Sequence, residues 1–398
     1  MRKPTLLTLF LIVLIDLVGF GLIMPLLPYF GREFGATGIQ IGWLFGIFSG
    51  MQFLFAPIWG RLSDRLGRRP ILLISLAGST VSYFLLAFST NYWAAFASRA
   101  LAGICAANIA VANAYVADIT TKENRSRGMG MIGAAFGIGF ILGPVLAGLF
   151  GTEGHRLPSL IASGVSGASL ILAFFSLPES RQDFSVKAPS QSLWASHFSD
   201  WSDVLGLPRV ASLVAISFLA NLALSKWETT FALFLKEAPS FVSFNYGIHV
   251  VGYMFAYVGV LVAAFQGGLL GRLVKVFGEP VLLKTGLITV AAGLFFTPFC
   301  RHLPEIVVCL TAVGAGLGMI RPVLFGVASI LTRSDRQGLT LGVLQGAGSL
   351  GRIAGPLMGG WLLDRNIGLP FWGGALVLLL ALALTPPSRY IREAKASD

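Results

Sequence analysis

Twelve long apolar segments follow one another along this 398-residue chain, with polar turns between them. A helix needs about 20 apolar residues to cross roughly 30 Å of hydrocarbon, so each segment is long enough to span a membrane. The segments lie at 5–29, 39–59, 71–90, 92–117, 129–150, 158–178, 209–235, 247–270, 281–300, 304–331, 339–362 and 368–386. Composition agrees, because only 12% of the residues are charged, against about 25% in soluble domains. We therefore expect an all-α membrane protein with twelve transmembrane helices.

The basic residues in the turns predict the orientation of these helices. Lys and Arg stay on the cytoplasmic side of short loops. Most of the 29 basic residues fall on the side of the two termini, and the opposite side has only Arg32, Arg156, Lys236, Arg301 and Arg365. Both termini are therefore expected in the cytoplasm, with a bacterial cytoplasmic (inner) membrane as the default location. The first segment is too long for a signal-peptide core, so it is expected to remain as the first span.

Charge and cysteine usage exclude other classes of partner. The formal net charge is +11, but the basic residues are spread over short loops and form no clustered patch of the kind that binds nucleic acid. The three cysteines, Cys105, Cys300 and Cys309, lie in or beside apolar segments without metal-ligand spacing, so they are interpreted as packing thiols. No nucleic-acid partner, metal or cofactor is expected, and membrane lipids are the expected surroundings of a monomer.

The chain also carries signs of an internal duplication. Two unrelated glycine patterns recur at a displacement of 211 or 212 residues, which chance hardly produces twice. The first pattern joins Gly60, Arg61, Leu62 and Gly67 to Gly271, Arg272, Leu273 and Gly278, and the second joins Gly139, Gly143, Pro144 and Gly148 to Gly351, Gly355, Pro356 and Gly360. We therefore predict a six-helix bundle at 1–178, a polar cytoplasmic linker at 179–208, and a second six-helix bundle with a short cytoplasmic tail at 209–398.

The loop after the second span combines glycines, an acid and arginines. Its key residues are Gly60, Asp64, Arg65, Gly67 and Arg68. Asp64 suits the positive N-terminal end of a neighbouring helix, while the arginines suit cytoplasmic acids or lipid phosphates. This loop resembles the signature loop of the major facilitator superfamily, which implies that it latches the cytoplasmic gate. Alternatively, the arginines serve the positive-inside rule alone.

Glycines recur along the fifth span, where small residues allow close helix contact and proline allows a kink. They are Gly133, Gly137, Gly139, Gly143 with Pro144, and Gly148. The pattern resembles the antiporter motif of the superfamily's drug-exporting branch, and the alternative is glycine packing of the kind found in any membrane bundle.

Asp16 with Gly19, Gly21, Pro25 and Pro28 resembles the first span of tetracycline-resistance efflux proteins, as do Arg99 to Gly103, Ala117 to Thr121 and Leu177 to Ser180. The second half matches less well, since the eighth and ninth spans lack interior acids and a mid-span histidine.

Several charges fall inside the spans, where an ionisable side chain costs at least about 2.5 kcal/mol and therefore signals function. They are Asp16, Arg99, Lys226, Glu228, Arg321 and Arg352. The resemblance implies that spans one, four, seven and ten line a central cavity, which would place all but Arg352 in it. Asp16 and Glu228 are related by the displacement of 212 and form the predicted proton-carrying pair, with Arg99 competing for the carboxylate. The alternative is that Asp16 pairs permanently with Lys226 or Arg99 and fixes helix register.

Polar and aromatic residues on the same spans predict a substrate cavity. The candidates are Gln52, Asn108, Asn113, Asn221, Lys226, Trp227 and Arg321. Among the charged residues expected in the cavity, three bases (Arg99, Lys226 and Arg321) outnumber two acids (Asp16 and Glu228), which favours an anionic or zwitterionic amphiphile. Each asparagine equally suits helix packing.

The resemblance implies a secondary transporter that exports a small amphipathic compound, of multidrug or tetracycline-like type, driven by the proton gradient. No phosphate-cradling loop of the Walker type occurs, so an ATP-driven pump is disfavoured, and no nucleophile-base pair or metal cluster suggests an enzyme. Three alternatives stay open: a proton-coupled symporter for an organic anion or nutrient, a lipid-handling relative on the same fold, and a ligand-sensing receptor without transport.

Overall fold

The computed structural model describes residues 6–106, 108–121, 124–151, 154–180, 201–238, 241, 247–332 and 336–387. Most of the predicted linker, residues 181–200, lies outside these described residues. In chain order the helices are α1 (Leu6–Ile23), α2 (Leu27–Glu33), α3 (Gly38–Leu66), α4 (Arg68–Ala87), α5 (Tyr92–Cys105), α6 (Asn108–Ile119), α7 (Arg125–Phe150), α8 (Arg156–Ser176), α9 (Pro208–Glu237), α10 (Ile248–Ala264), α11 (Leu270–Phe277), α12 (Glu279–Phe296), α13 (Leu303–Ile330), α14 (Gln337–Leu363) and α15 (Leu369–Ala383).

The described residues form helices and turns and contain no strand, so the predicted all-α membrane fold is confirmed. Among them, ten helical segments are long and apolar enough to cross a membrane. The other two predicted spans are α14, a 27-residue helix with Arg352 in its interior, and α15, an apolar helix of 15 residues. Large apolar side chains such as Phe175 and Val308 are 73% and 70% exposed, as expected for helix surfaces that face lipid.

The fourth and eighth predicted spans are interrupted in their interior. The fourth is broken between Cys105 and Asn108, where Ala106 leaves helical geometry, so it consists of α5 and α6. The eighth contains a π-helical turn at Phe265–Leu269, between α10 and α11. Gly267 and Gly268 lie in that turn, and glycine tolerates such a departure because it has no Cβ. Apolar length alone predicts neither interruption.

Side chains cap the beginnings of several helices, two of them from neighbouring residues and one from a distant part of the chain. The Asn91 side chain accepts a hydrogen bond from the Ala94 N–H at 3.0 Å and begins α5. Glu305, in the first turn of α13, accepts from the N–H groups of Arg301 and His302 at 2.6 and 3.3 Å. At the start of α3, the Asp364 carboxylate accepts from the Gly38 N–H at 2.6 Å. These caps satisfy N–H groups that have no partner inside their own helix.

The helices divide into two compact units. The first contains α1, α2, α3 from Trp43 onward, α4 to α8, and the residues Gly247–Ala256 that open α10. The second contains Thr37–Gly42, α9, α10 from Tyr257 onward, and α11 to α15. In the first unit α1 packs against α7 and α8, and in the second α9 packs against α14 and α15.

Candidate functional site

Asp16 lies on α1, in the interior of the first unit, and is only 4% exposed. Both carboxylate oxygens accept hydrogen bonds from uncharged side chains. The Ser166 hydroxyl on α8 donates to Oδ1 at 3.0 Å, and the Asn108 amide on α6 donates to Oδ2. The Asn108 oxygen meanwhile accepts from the Ile109 N–H at 2.9 Å. A buried carboxylate is therefore held by two neutral donors, which carry no opposing charge.

The break between α5 and α6 places irregular backbone in the middle of a span. Carbonyls freed by such a break need partners, because hydrocarbon offers none. Side chains of α3 and α4 supply them: Trp59 donates to the Ile104 carbonyl, Ser75 to that of Cys105 and Gln52 to that of Ala106. Gln52, predicted as a cavity residue, thus binds the broken helix next to the residue that holds Asp16.

Arg99 on α5 is 1% exposed and lies beside two aromatic side chains. Its guanidinium carbon is 4.6 Å from the ring centroid of Phe48 on α3, within the range of a cation–π contact. It interacts electrostatically with the side chain of Tyr83, which also interacts with Asp16. The Arg99 Nε and Nη1 atoms are buried without a hydrogen-bond partner among the described residues. A buried cation is therefore near Asp16 but not hydrogen-bonded to it, and the competition between them stays a prediction.

The second unit carries a separate group of charges. Glu228 on α9 is half-buried and interacts electrostatically with Arg352 on α14. Arg352 also interacts with Arg321 on α13, and its Nη2 donates to the Ser349 hydroxyl at 3.2 Å. Arg321 is exposed and lies 6.0 Å from the ring centroid of Phe325. Two arginines and one acid therefore leave excess positive charge here, and Arg352, the one interior charge not expected in the cavity, belongs to this cluster.

Lys226 is completely buried, on the same helix as Glu228. Its Nζ has no hydrogen-bond partner within the described part of the chain. A Cβ added at Gly373 on α15 would lie 3.3 Å from that nitrogen, and one added at Gly359 on α14 would lie 2.7 Å from the Lys226 Cγ. The ammonium is thus enclosed by three helices that approach closely through glycine. An unpaired buried cation is costly, so Lys226 is a strong functional candidate.

Three predicted cavity residues remain, namely Trp227, Asn221 and Asn113. Trp227 is 3% exposed, with its ring centroid 5.5 Å from that of Phe231. The Asn221 amide donates to the Ser217 carbonyl at 2.9 Å and lies against Gly348 on α14, an arrangement typical of helix packing. Asn113 is half-buried on α6.

The loop between α3 and α4 is held by acids from later in the chain. Gly67 has φ +103° and lies so close to Glu179 that an added Cβ would be 2.4 Å from its Oε2. The Glu179 carboxylate accepts from the backbone N–H groups of Arg68 and Arg69 at 2.8 and 3.1 Å. The acid at the positive N-terminal end of α4 is therefore Glu179, and Asp64 pairs with Arg68 at 2.7 Å.

Arg68 is the centre of this loop. Its guanidinium also contacts Asp118 at the end of α6 at 3.0 Å and the Ser63 hydroxyl at 2.7 Å. Arg65 is exposed, and no added Cβ at Gly60 would meet an atom within 4 Å. Arg68 and Gly67 thus join the loop to α6 and to the residues after α8, whereas Arg65 remains available to solvent or lipid.

The glycines of α7 bring it into contact with α1. A Cβ at Gly139 would lie 2.7 Å from the Leu17 Cβ, and one at Gly143, which precedes Pro144, would lie 2.5 Å from the Gly21 carbonyl carbon. Gly148 similarly meets the start of α10, where an added Cβ would lie 2.8 Å from Tyr253. By contrast, Gly133 and Gly137 have open space around them. Only part of the glycine pattern is therefore needed for close packing.

Several residues of these sites lie outside the predicted sets. Tyr83 and Ser166 contact the predicted charges, and Asp118 and Glu179 hold the loop. Asp118 and Glu179 belong to segments that carried the resemblance, so a signal existed for them. Tyr83 and Ser166 are single polar residues in apolar helices, and only the packing of α4 and α8 reveals their partners.

Comparison with known protein families shows which family this chain belongs to. The sequence pattern of the Major Facilitator Superfamily matches residues 9–241 and, in a second match, residues 229–397. The chain belongs to the major facilitator superfamily. The two matches together cover nearly all of the chain, which agrees with its all-helical membrane fold and with the resemblance found in the sequence.

The superfamily members most similar to this chain include resistance proteins. It is 32% identical to the tetracycline resistance protein, class B, of Escherichia coli, over 95% of this chain and 96% of the relative. It is 30% identical to multidrug resistance protein 2 of Bacillus subtilis (strain 168), over 95% and 94%. Among solved structures, the human organic anion transporter MFSD10 (TETRAN) has 26% identity and a TM-score of 0.71, covering 97% of this chain and 100% of that one.

Proposed function

We propose that this protein is a proton-coupled antiporter that exports a small amphipathic compound by alternating access. The observation that carries the proposal is Asp16, a buried carboxylate whose partners Asn108 and Ser166 are neutral. An acid with no fixed counter-charge can gain and lose a proton without breaking an ion pair. The similarity to tetracycline and multidrug resistance proteins supports export as the direction.

The two partners of Asp16 differ in which protonation state they can serve. The Asn108 oxygen is engaged by the Ile109 N–H, so its amide group remains a donor and favours an unprotonated Oδ2. The Ser166 hydroxyl can rotate to donate or to accept, so it can serve either state of Oδ1. The proton would therefore be carried on Oδ1, between α1 and α8.

Glu228 is the other acid of the predicted pair, and its surroundings differ from those of Asp16. It interacts electrostatically with Arg352, a charged partner of a kind that Asp16 lacks. A substrate that bound near Arg352 would change the electrostatic surroundings of Glu228. We therefore propose that Asp16 carries the proton and that Glu228 responds to substrate in the second unit.

The test uses purified protein in liposomes with an imposed pH gradient and a pH-sensitive dye inside. Tetracycline and ethidium serve as amphipathic probes, and a transported probe is expected to release the gradient. Asp16→Asn keeps the size and hydrogen bonding of the side chain but cannot carry a proton, so proton flux should fall to the level of protein-free liposomes. Glu228→Gln should reduce it as well. Asp203→Asn, at an exposed acid, is the matched control and should behave as the wild type.

Outcomes of this assay separate the alternatives. Full proton flux in Asp16→Asn with a transported probe would refute the carrier assignment. Probe binding without any proton flux in the wild type would favour a ligand-sensing receptor, and lipid movement in place of probe movement would favour a lipid-handling relative.

Transport of an organic anion is the second candidate function. Arg99 and Lys226 are buried with side-chain nitrogens that lack hydrogen-bond partners in the described residues, so each could receive an anionic group. A solved relative is itself named as an organic anion transporter. Fluorescein accumulation along an imposed proton gradient would favour symport, and exchange against it would favour antiport. Lys226→Met, which removes the charge at similar size, should then reduce anion flux but not ethidium flux.

The proposal places the protein as a monomer in a bacterial cytoplasmic membrane, with both termini in the cytoplasm and lipid phosphates at exposed arginines such as Arg65. Light scattering of the detergent-purified protein would contradict the monomer if it gave twice the chain mass of 42.4 kDa.

A further inference from the structure

Two of the three cysteines meet at one end of the α12–α13 hairpin. Cys300 follows a short 3₁₀ turn, Thr297–Phe299, at the end of α12, and Cys309 lies two turns into α13. Their Sγ atoms are 3.6 Å apart. The sequence alone indicates three packing thiols, and only the reversal of the chain between the two helices brings these two sulfurs together.

The surroundings of the two thiols allow a small reagent to reach them. They line a shallow cavity of about 320 Å³ together with Phe296, Phe299, Glu305 and Val308. Cys300 and Cys309 are only 5% and 7% exposed, but Glu305 in the same cavity is exposed and lies beside the exposed polar residues Arg301 and His302. Cys105, by contrast, lies in the first unit against Gly78 and has no cysteine neighbour among the described residues.

We propose that Cys300 and Cys309 are a redox-active dithiol that closes to an intramolecular disulfide. A disulfide needs the sulfurs about 2.05 Å apart, and side-chain rotation suffices to close the gap from van der Waals contact. The site differs from the proposed transport machinery and adds a covalent modification that transport does not require. Under the proposed topology this end of the hairpin, next to Arg301, faces the extracytoplasmic side, where disulfides persist.

The reaction balances with a disulfide oxidant, such as oxidised glutathione or an exposed protein disulfide. One cysteine, as its thiolate, attacks a sulfur of the oxidant to give a mixed disulfide and release one thiol. The second thiolate then attacks the cysteine sulfur of that mixed disulfide and releases the other thiol. The protein loses two protons and two electrons, and the oxidant gains both as two thiols.

Closure demands little movement of the helices. An added Cβ at Gly293 on α12 would already lie 2.7 Å from the Cys309 carbonyl oxygen, so the two helices are in close contact there. The bond therefore ties together elements that already touch, and the fold of the second unit should tolerate both redox states. Oxidation would stiffen the outer end of α13, the helix that carries Arg321.

The experiment counts thiols in the purified full-length protein. After incubation with oxidised glutathione the sample is quenched in acid, denatured and alkylated, and the adducts are counted by intact mass. The reduced wild type should show three adducts and the oxidised wild type one, on Cys105. Neither Cys300→Ser nor Cys309→Ser should form the intramolecular disulfide, which is the oxidised species without bound glutathione. Cys105→Ser should still form the disulfide and show no adduct when oxidised.

Three results would overturn the proposal: three adducts after oxidation, a stable glutathione adduct on Cys300 with Cys309 still alkylated, or a disulfide between two chains. Peptide mapping distinguishes them, since the expected product links the peptides that contain Cys300 and Cys309. The assay does not involve transport, so its failure and that of the proposed antiport are separate results.

Discussion

At the scale of single residues, two glycines occupy loop positions whose backbone conformation other residues rarely adopt. Gly67 and Gly278 occupy equivalent loops and have φ +103° and +78° with ψ near 160°. This region of backbone conformation is essentially restricted to glycine. Their surroundings differ, because Gly67 abuts the Glu179 carboxylate whereas an added Cβ at Gly278 would meet only the Pro280 ring, at 3.7 Å.

This difference gives a prediction about stability. Gly67→Ala and Gly278→Ala should both cost about 1–3 kcal/mol from backbone strain. Gly67→Ala should cost more, because its methyl group also displaces Glu179 from the N–H groups of Arg68 and Arg69. Thermal unfolding in detergent, followed by tryptophan fluorescence, measures both. A Gly278→Ala variant that unfolds at a lower temperature than Gly67→Ala would contradict the role given to Glu179.

At the scale of elements, glycines decide which helices approach each other. The α7–α1 contact through Gly139 and Gly143 has a counterpart in the second unit, where a Cβ at Gly351 would lie 2.5 Å from the Phe218 carbonyl oxygen on α9. Side chains from neighbouring helices also donate hydrogen bonds to the backbone carbonyls at the break between α5 and α6. Irregular backbone inside a membrane is tolerated where protein supplies the hydrogen bonds, and such breaks are typical of transporter binding sites.

A matched pair of variants on α7 tests the glycine contact. Gly143→Ala places a methyl group 2.5 Å from the Gly21 backbone, so α1 and α7 must separate, at a cost of about 1–3 kcal/mol. Gly137→Ala, on the same helix, enters open space and should leave stability unchanged or raise it by up to about 1 kcal/mol, because alanine favours a helix more than glycine does. Transport rates and unfolding temperatures report the result. Equal effects of the two substitutions would show that helix propensity, and not close packing, explains the pattern.

At the scale of the whole molecule, the sequence repeat produces two units with related packing but different charges. Asp16 and Glu228 hold equivalent positions in the sequence, yet Asp16 has neutral partners and Glu228 faces arginine. Each unit also contains a buried cation whose side-chain nitrogens lack hydrogen-bond partners in the described ranges, Arg99 in the first and Lys226 in the second. The duplication therefore supplies a common scaffold, and the two charge clusters are specialised separately.

The proposed orientation predicts which loops can be labelled from outside the cell. In a variant without its three cysteines, Arg301→Cys should react with a membrane-impermeant maleimide on intact cells, because it lies between α12 and α13 on the extracytoplasmic side. Arg65→Cys, an equally exposed position between α3 and α4, should react only after permeabilisation. The reverse labelling pattern would show that the proposed topology is inverted. The cysteine pair would then lie on the cytoplasmic side of the membrane.

The amino-acid sequence alone determined the membrane location, the helical class and the family of this protein, because apolar segment length and glycine motifs are local properties. It also identified the charged residues, since a charge within an apolar segment is visible without a structure. The partners of those charges depended on the tertiary structure. Ser166 and Tyr83 reach Asp16 and Arg99 only because α8 and α4 pack beside α1 and α5. The meeting of Cys300 and Cys309 likewise follows from a chain reversal that brings distant atoms together, which no local pattern encodes.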